Sequence, residues 1–156
     1  MQLAVYASTL ANKGVRYRAT FLNRVVSSDY SELELENTPE IISTMEMSDE
    51  TYKAVVDGMV AVAHQSGGTG YKYLKDANVT VAAKTGTAEH GLGSQYSSHG
   101  AFVCFAPAEA PEIAIALYGE KAGHGSTLAQ VARIILDAYF TDEEESAVIS
   151  TENKLS

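Results

Sequence analysis

The chain carries one cysteine, Cys104, and no tryptophan in 156 residues. A lone cysteine excludes an internal disulfide. It sits in the apolar run Phe102-Val103-Cys104-Phe105-Ala106 and reads as a small buried hydrophobe rather than a reactive thiol. Basic residues are scarce, 11 Lys and Arg against 20 Asp and Glu, for a net charge of -9. No basic cluster reaches the density that a phosphate backbone requires, which argues against nucleic acid as a partner. The acidity is concentrated at the end, where Asp142, Glu143, Glu144, Glu145 and Glu152 face only Lys154. No run of apolar residues approaches bilayer-spanning length.

Missing motifs narrow the chemistry further. Four histidines, His64, His90, His99 and His124, lack metal-ligand spacing, so no metal and no other cofactor is expected. The stretch Ser66-Gly67-Gly68-Thr69-Gly70 lacks the Gly-Lys-Ser/Thr ending of a phosphate cradle. Tyr71-Lys72-Tyr73 follows it instead, and the stretch reads as a flexible helix-to-strand turn. No Gly-x-Ser-x-Gly elbow marks a hydrolase nucleophile.

What remains is ordinary globular composition, 46% apolar and 20% charged, in a length that suits one domain with a sizeable core. Leu3, Val5, Tyr6 and Leu10 have helical spacing over 2–12, and Asn12-Lys13-Gly14 is a stop signal. Residues 17–26 and 31–36 are expected as one or two strands joined near Ser27-Ser28-Asp29, and Pro39 breaks what precedes it. Ser48 with Thr51 marks a helix start, and the helix behind it should run to about Gln65. Three strands follow: 79–83 leading into 84–89, then 99–106 closed by Pro107, then 112–120. Gly91-Leu92-Gly93-Ser94 turns between the first two. A last helix is expected over 127–140 and a disordered acidic tail over 141–156. The fold class is therefore α+β, helices packed on an antiparallel sheet, with the domain occupying 1–140.

One constellation carries a mechanism. In Lys84-Thr85-Gly86-Thr87 a cation and a hydroxyl on a strand can hold a carboxylate by charge-assisted hydrogen bonds. A glycine between the hydroxyl residues lets a substrate backbone approach. The next backbone N–H can face a developing oxyanion. The tripeptide alone is a weak signal, and an exposed strand edge would also carry such residues. Glu89 and His90 stand beside the motif as solvated loop residues that can touch a substrate.

The surroundings are more specific. The longer motif is Ala83-Lys84-Thr85-Gly86-Thr87-Ala88-Glu89, entered by an apolar strand. Upstream lie a helix ending in Ala11-Asn12-Lys13-Gly14, then Gly58-Met59, then the turn Gly68-Thr69-Gly70. Downstream lie His99-Gly100-Ala101-Phe102-Val103, Phe105-Ala106-Pro107, Pro111-Glu112-Ile113-Ala114 and the helix over 129–140. In this order, over most of residues 2–140, these landmarks resemble the transpeptidase domain of penicillin-binding proteins, the C-terminal part of a β-lactamase/transpeptidase-like fold. The resemblance implies serine acyl transfer that cross-links peptidoglycan stem peptides ending in D-alanyl-D-alanine, at the outer face of the cell membrane. It gives Lys84 a catalytic cation's role, Thr85, Gly86 and Thr87 the binding of the peptide or β-lactam carboxylate, and the Thr87 N–H one oxyanion position.

The family's Ser-x-x-Lys is absent, since no serine has a lysine three residues on. Ser150 and Lys154 are one residue too far apart, and Thr151-Glu152-Asn153 only mimics the spacing of Ser-x-Asn. The first helix also opens at residue 1 without a cap. The expectation is a fragment cut inside the domain, without nucleophile and inactive alone. Its partners would be the remaining N-terminal part of the domain and, through apolar faces, other copies of itself. A piece of a β-lactamase or β-lactam sensor, or a non-catalytic interaction module of the same fold, are the competing readings.

Overall fold

A computed structural model of the chain describes residues 1–89 and 98–152, with side chains as far as residue 141. The expected turn at Gly91–Ser94 and His90 lie outside the described residues. The first helix, α1, spans Gln2–Ala11 and buries Ala7, Leu10 and Ala11. Lys13 and Gly14 take positive φ directly behind it, as the stop signal requires. The helix α2 spans Asp49–His64, and Ser48 Oγ accepts the Thr51 N–H at 3.2 Å. That is the cap expected from the sequence.

The central sheet is an antiparallel meander of β5 (Ala82–Ala88), β6 (His99–Ala106) and β7 (Ile113–Gly119), in that order, following the four strands described below. Period-two alternation divides its side chains between two cores. Ala83, Cys104 and Ile115, in register across the three strands, pack with Phe102, Leu74, Ala129, Ala132 and Leu136. Ala82 and Phe105 point the other way, to Leu10, Ala11, Val56 and Met59. The sheet is thus covered by the last helix on one face and by α1 on the other, and α2 contributes to both cores. Eight buried or half-buried residues in a row are what an inner strand such as β6 should show.

The segment before α2 differs from expectation. Residues 17–26 do not form one strand. Val15–Tyr17 (β1) pairs with Ile41–Thr44 (β4), and Arg24–Val26 (β2) pairs with Leu33–Glu36 (β3). Just past β1, the Arg18 N–H donates to the Glu40 carbonyl at 2.8 Å and its Nη2 donates to Glu40 Oε1 at 3.0 Å. The strand β4 went unread because four residues, Ile41-Ile42-Ser43-Thr44, show no alternation, and its partner is far away in sequence. The β2–β3 hairpin stands in solvent, with Tyr30 at its turn 84% exposed, as does Phe21 ahead of β2.

Two further elements depart from the sequence reading. Ser66–Gly70 leads into a short helix, α3 (Tyr71–Leu74), rather than a strand. The last helix, α4, spans Ala129–Glu152 behind a 3₁₀ turn at Gly125–Leu128. It continues beyond Phe140 into the segment expected as a disordered tail. Nothing after residue 125 is Gly or Pro, so no residue there enforces a stop. Residues 153–156 lie outside the described residues.

Candidate active site

The strand β5 starts in the core and ends in solvent. Val81, Ala82 and Ala83 are fully buried, Thr85 and Gly86 half-buried, and Lys84, Thr87 and Ala88 exposed. Its buried entrance is anchored: the Val81 N–H donates to His64 Nε2 at 2.9 Å. The Ala108 N–H donates to the Thr80 carbonyl at 2.8 Å. Among the described residues β5 has a strand partner on one edge only, β6, with Thr85 opposite Phe102, Gly86 opposite Ala101 and Thr87 opposite Gly100.

All four residues singled out from the sequence, Lys84, Thr85, Gly86 and Thr87, therefore lie together at the emerging end of an edge strand. Lys84 Nζ donates to the Thr85 carbonyl at 2.5 Å. Among the described residues no carboxylate lies within ion-pair reach of it. A Cβ at Gly86 would meet only Ala101 Cβ at 3.5 Å and the Ala101 carbonyl oxygen at 3.8 Å, which is ordinary contact. The fold itself does not require glycine at 86, and glycine there keeps the Lys84 face of the strand clear.

Three contacts at this strand were not read from the sequence. Thr69, in the glycine-rich loop, lies with its Oγ1 2.9 Å from Thr85 Oγ1. The 3₁₀ turn before α4 packs on the motif so closely that a Cβ at Gly125 would stand 2.1 Å from the Gly86 carbonyl oxygen. His64 holds the strand's start. The glycines were visible in the sequence, but their closeness to β5 depends on long-range packing that no local pattern encodes.

Of the other candidates, His99 stands opposite Ala88 and His124 directly precedes Gly125, both beside the motif, whereas Cys104 lies in the core. Burial pushes the Cys104 thiol up to about 12, which fits an inert core position. His99 Nδ1 accepts the Lys121 N–H at 3.1 Å, and its ring lies 5.8 Å from that of Tyr118. The His124 carbonyl accepts the Thr127 hydroxyl at 2.8 Å. Among the described residues no three His, Cys, Asp or Glu side chains gather closely enough to hold a metal ion. Glu89 is exposed at the end of β5. Ser150 and Thr151 fall in α4, whereas Asn153 and Lys154 lie outside the described residues.

The four motif residues stand together at the exposed end of an edge strand, and comparison with known proteins assigns the family of the chain. The family model of the penicillin binding protein transpeptidase domain matches residues 1–137. The chain belongs to this family. It is 28% identical to the peptidoglycan D,D-transpeptidase MrdA of Acinetobacter baumannii over 95% of this chain and 23% of that protein. It is 31% identical to penicillin-binding protein 2B of Streptococcus pneumoniae over 75% of this chain and 18% of that protein. The solved structure of the pneumococcal 2B protein superposes with a TM-score of 0.75 at 28% identity, covering 89% of this chain and 24% of that one. Penicillin-binding protein A of M. tuberculosis, solved as an imipenem acyl-enzyme complex, superposes with a TM-score of 0.71 at 26% identity, covering 88% and 29%. The chain thus spans less than a quarter of the length of these two curated relatives. The match confirms the α+β fold expected for a transpeptidase domain.

Proposed function

We propose that this chain is the carboxylate-binding part of a penicillin-binding D,D-transpeptidase. In that reaction a serine attacks the penultimate D-alanyl carbonyl of a stem peptide and expels the last D-alanine. The acyl group then passes to an amine on a neighbouring stem. Lys84 contributes positive charge beside the nucleophile's hydrogen-bond network. Thr85 and Thr87 hold the carboxylate of the peptide or of a β-lactam. The Thr87 N–H is one oxyanion donor, and the nucleophile's own N–H is the other.

The observation that carries this reading is the exposed end of β5. A cation without a carboxylate partner among the described residues stands beside two hydroxyl residues and a glycine that packing does not demand. A terminal carboxylate fits such a place, because charge-assisted hydrogen bonds there need not displace an existing ion pair.

The attacking serine comes from polypeptide outside these 156 residues, and the chain alone is inactive. The remainder of the domain is its natural partner, on the outer face of the membrane as the family implies. Among the described residues no helix is long and apolar enough to cross a membrane. A cavity of about 700 Å³ walled by Val5, Tyr6, Leu10, Met45, Met47 and Val55 is one apolar face open to that partner or to a second copy.

The test is an NMR titration of the 15N-labelled chain with acetyl-D-alanyl-D-alanine and with its C-terminal amide. The free carboxylate should shift the Thr85, Gly86 and Thr87 amides, and the amide form should bind more weakly. Equal responses to both, or none at these residues, would refute the carboxylate-binding role.

A further inference from the structure

Beyond the four motif residues, the loop between α2 and α3 reaches the strand through one side chain. Thr69 Oγ1 and Thr85 Oγ1 lie 2.9 Å apart, and either atom can be the donor. The loop that presents Thr69 is held firmly by its backbone. The Gly68 N–H donates to the Gln65 carbonyl at 2.9 Å, and the Gly70 N–H donates to the Val62 carbonyl at 3.0 Å. Gly68 sits so close to the end of α2 that a Cβ would stand 2.5 Å from the carbonyl oxygens of both Ala61 and Val62. Thr69 is therefore flanked by two fixed glycines, although it is itself exposed.

A threonine hydroxyl has one proton and two lone pairs. If Thr85 gives its proton to Thr69, it has none for a ligand. If Thr69 donates instead, Thr85 keeps its proton, and its oxygen is made a better donor by the bond that it accepts. A carboxylate is acceptor-only when ionised, so its arrival selects the second arrangement.

We propose that Thr69 is a positioning residue for carboxylate recognition. Its hydroxyl donates to Thr85 Oγ1, fixes the Thr85 rotamer and directs the Thr85 proton toward the ligand. This assignment rests on the reading of β5 as a carboxylate-binding strand. It gives the glycine-rich loop a role that a flexible turn would not have.

Two measurements on the full chain test it, using Thr69→Val, Thr69→Ala and Thr69→Ser. The first needs no ligand: three-bond couplings report the Thr85 χ1 angle. A single rotamer is expected in the parent chain and in Thr69→Ser, and averaging in Thr69→Val and Thr69→Ala. The second is the affinity for acetyl-D-alanyl-D-alanine against its amide. Thr69→Val should weaken carboxylate binding about fivefold, the worth of one hydrogen bond, while leaving the amide form unchanged. Thr69→Ser should restore it. A merely structural threonine would not change the discrimination between the two ligands. Unchanged couplings or unchanged carboxylate affinity in folded Thr69→Val overturns the proposal, with Thr69→Ala deciding if the valine variant unfolds. If the parent chain itself does not discriminate, the carboxylate-binding role of β5 falls instead, and the couplings alone decide whether Thr69 positions Thr85.

Discussion

The backbone N–H of Val81 donates to the imidazole Nε2 of His64, joining the last residue of α2 to the entry of the motif strand across 2.9 Å. Val81 is fully buried and His64 half-buried. A histidine that could have served as a metal ligand or a general base is instead occupied as an acceptor. Replacing His64 with phenylalanine leaves a buried N–H unpaired, which costs about 1–3 kcal/mol. Urea denaturation of His64→Phe should show that loss, and His64→Gln should lose less. Faster hydrogen exchange at the Val81 amide should accompany it.

The contact of Gly125 with the motif gives a second outcome. A methyl group at 125 must push against the carbonyl oxygens of Gly86 and Ala101, at 2.1 and 2.3 Å from its ideal position. Gly125→Ala should destabilise the chain by about 1–3 kcal/mol, as overpacking does, and shift the amides of Gly86 and Ala101. Gly58→Ala is the contrasting case. Gly58 lies inside α2 with nothing within 4 Å of an added Cβ, and alanine there should stabilise by about 0.5–1 kcal/mol.

The β2–β3 turn carries a pH dependence. Hydrogen bonds from Ser27 and then Ser31 lower the Asp29 carboxyl from 3.8 to about 2. A carboxylate whose folded value is depressed stabilises the turn above its ordinary value and loses that contribution as pH falls through the folded one. The turn should therefore be intact above about pH 4 and weaken toward pH 2. The Asp29 carboxyl 13C shift should titrate near the lower value, and Ser27→Ala should move the midpoint up toward 3.8.

Apolar side chains exposed on α1, on the hairpin and around the cavity should bring copies of the chain together. Static light scattering is expected to show mass rising with concentration. A constant monomer mass at high concentration would count against these faces as contact surfaces.

The sequence disclosed the parts of this fold whose signals are local. The strand over 99–106 was legible because its apolar run ends at a proline. The start of α2 was legible because Ser48 and Thr51 cap it. The motif strand was legible as an apolar lead-in to Lys84-Thr85-Gly86-Thr87. The β1–β4 pair was not, since each strand is short and its partner lies beyond a hairpin. The support around the site was also hidden. That Thr69 touches Thr85, and that Gly125 rests on Gly86, follows from how α2 and α4 pack on the sheet. The extension of α4 past Phe140 is signalled only by the lack of any helix breaker, a weaker cue than the acidic composition that suggests a tail.

The central claim is that these residues form a binding wall for a carboxylate but hold no attacking oxygen. Mass spectrometry of the chain after incubation with a labelled penicillin tests it most directly. The unmodified mass is expected from the chain alone, and a stoichiometric adduct, on a serine outside these 156 residues, from a longer polypeptide that includes the rest of the domain. A stoichiometric covalent adduct on any residue of the chain by itself would contradict it.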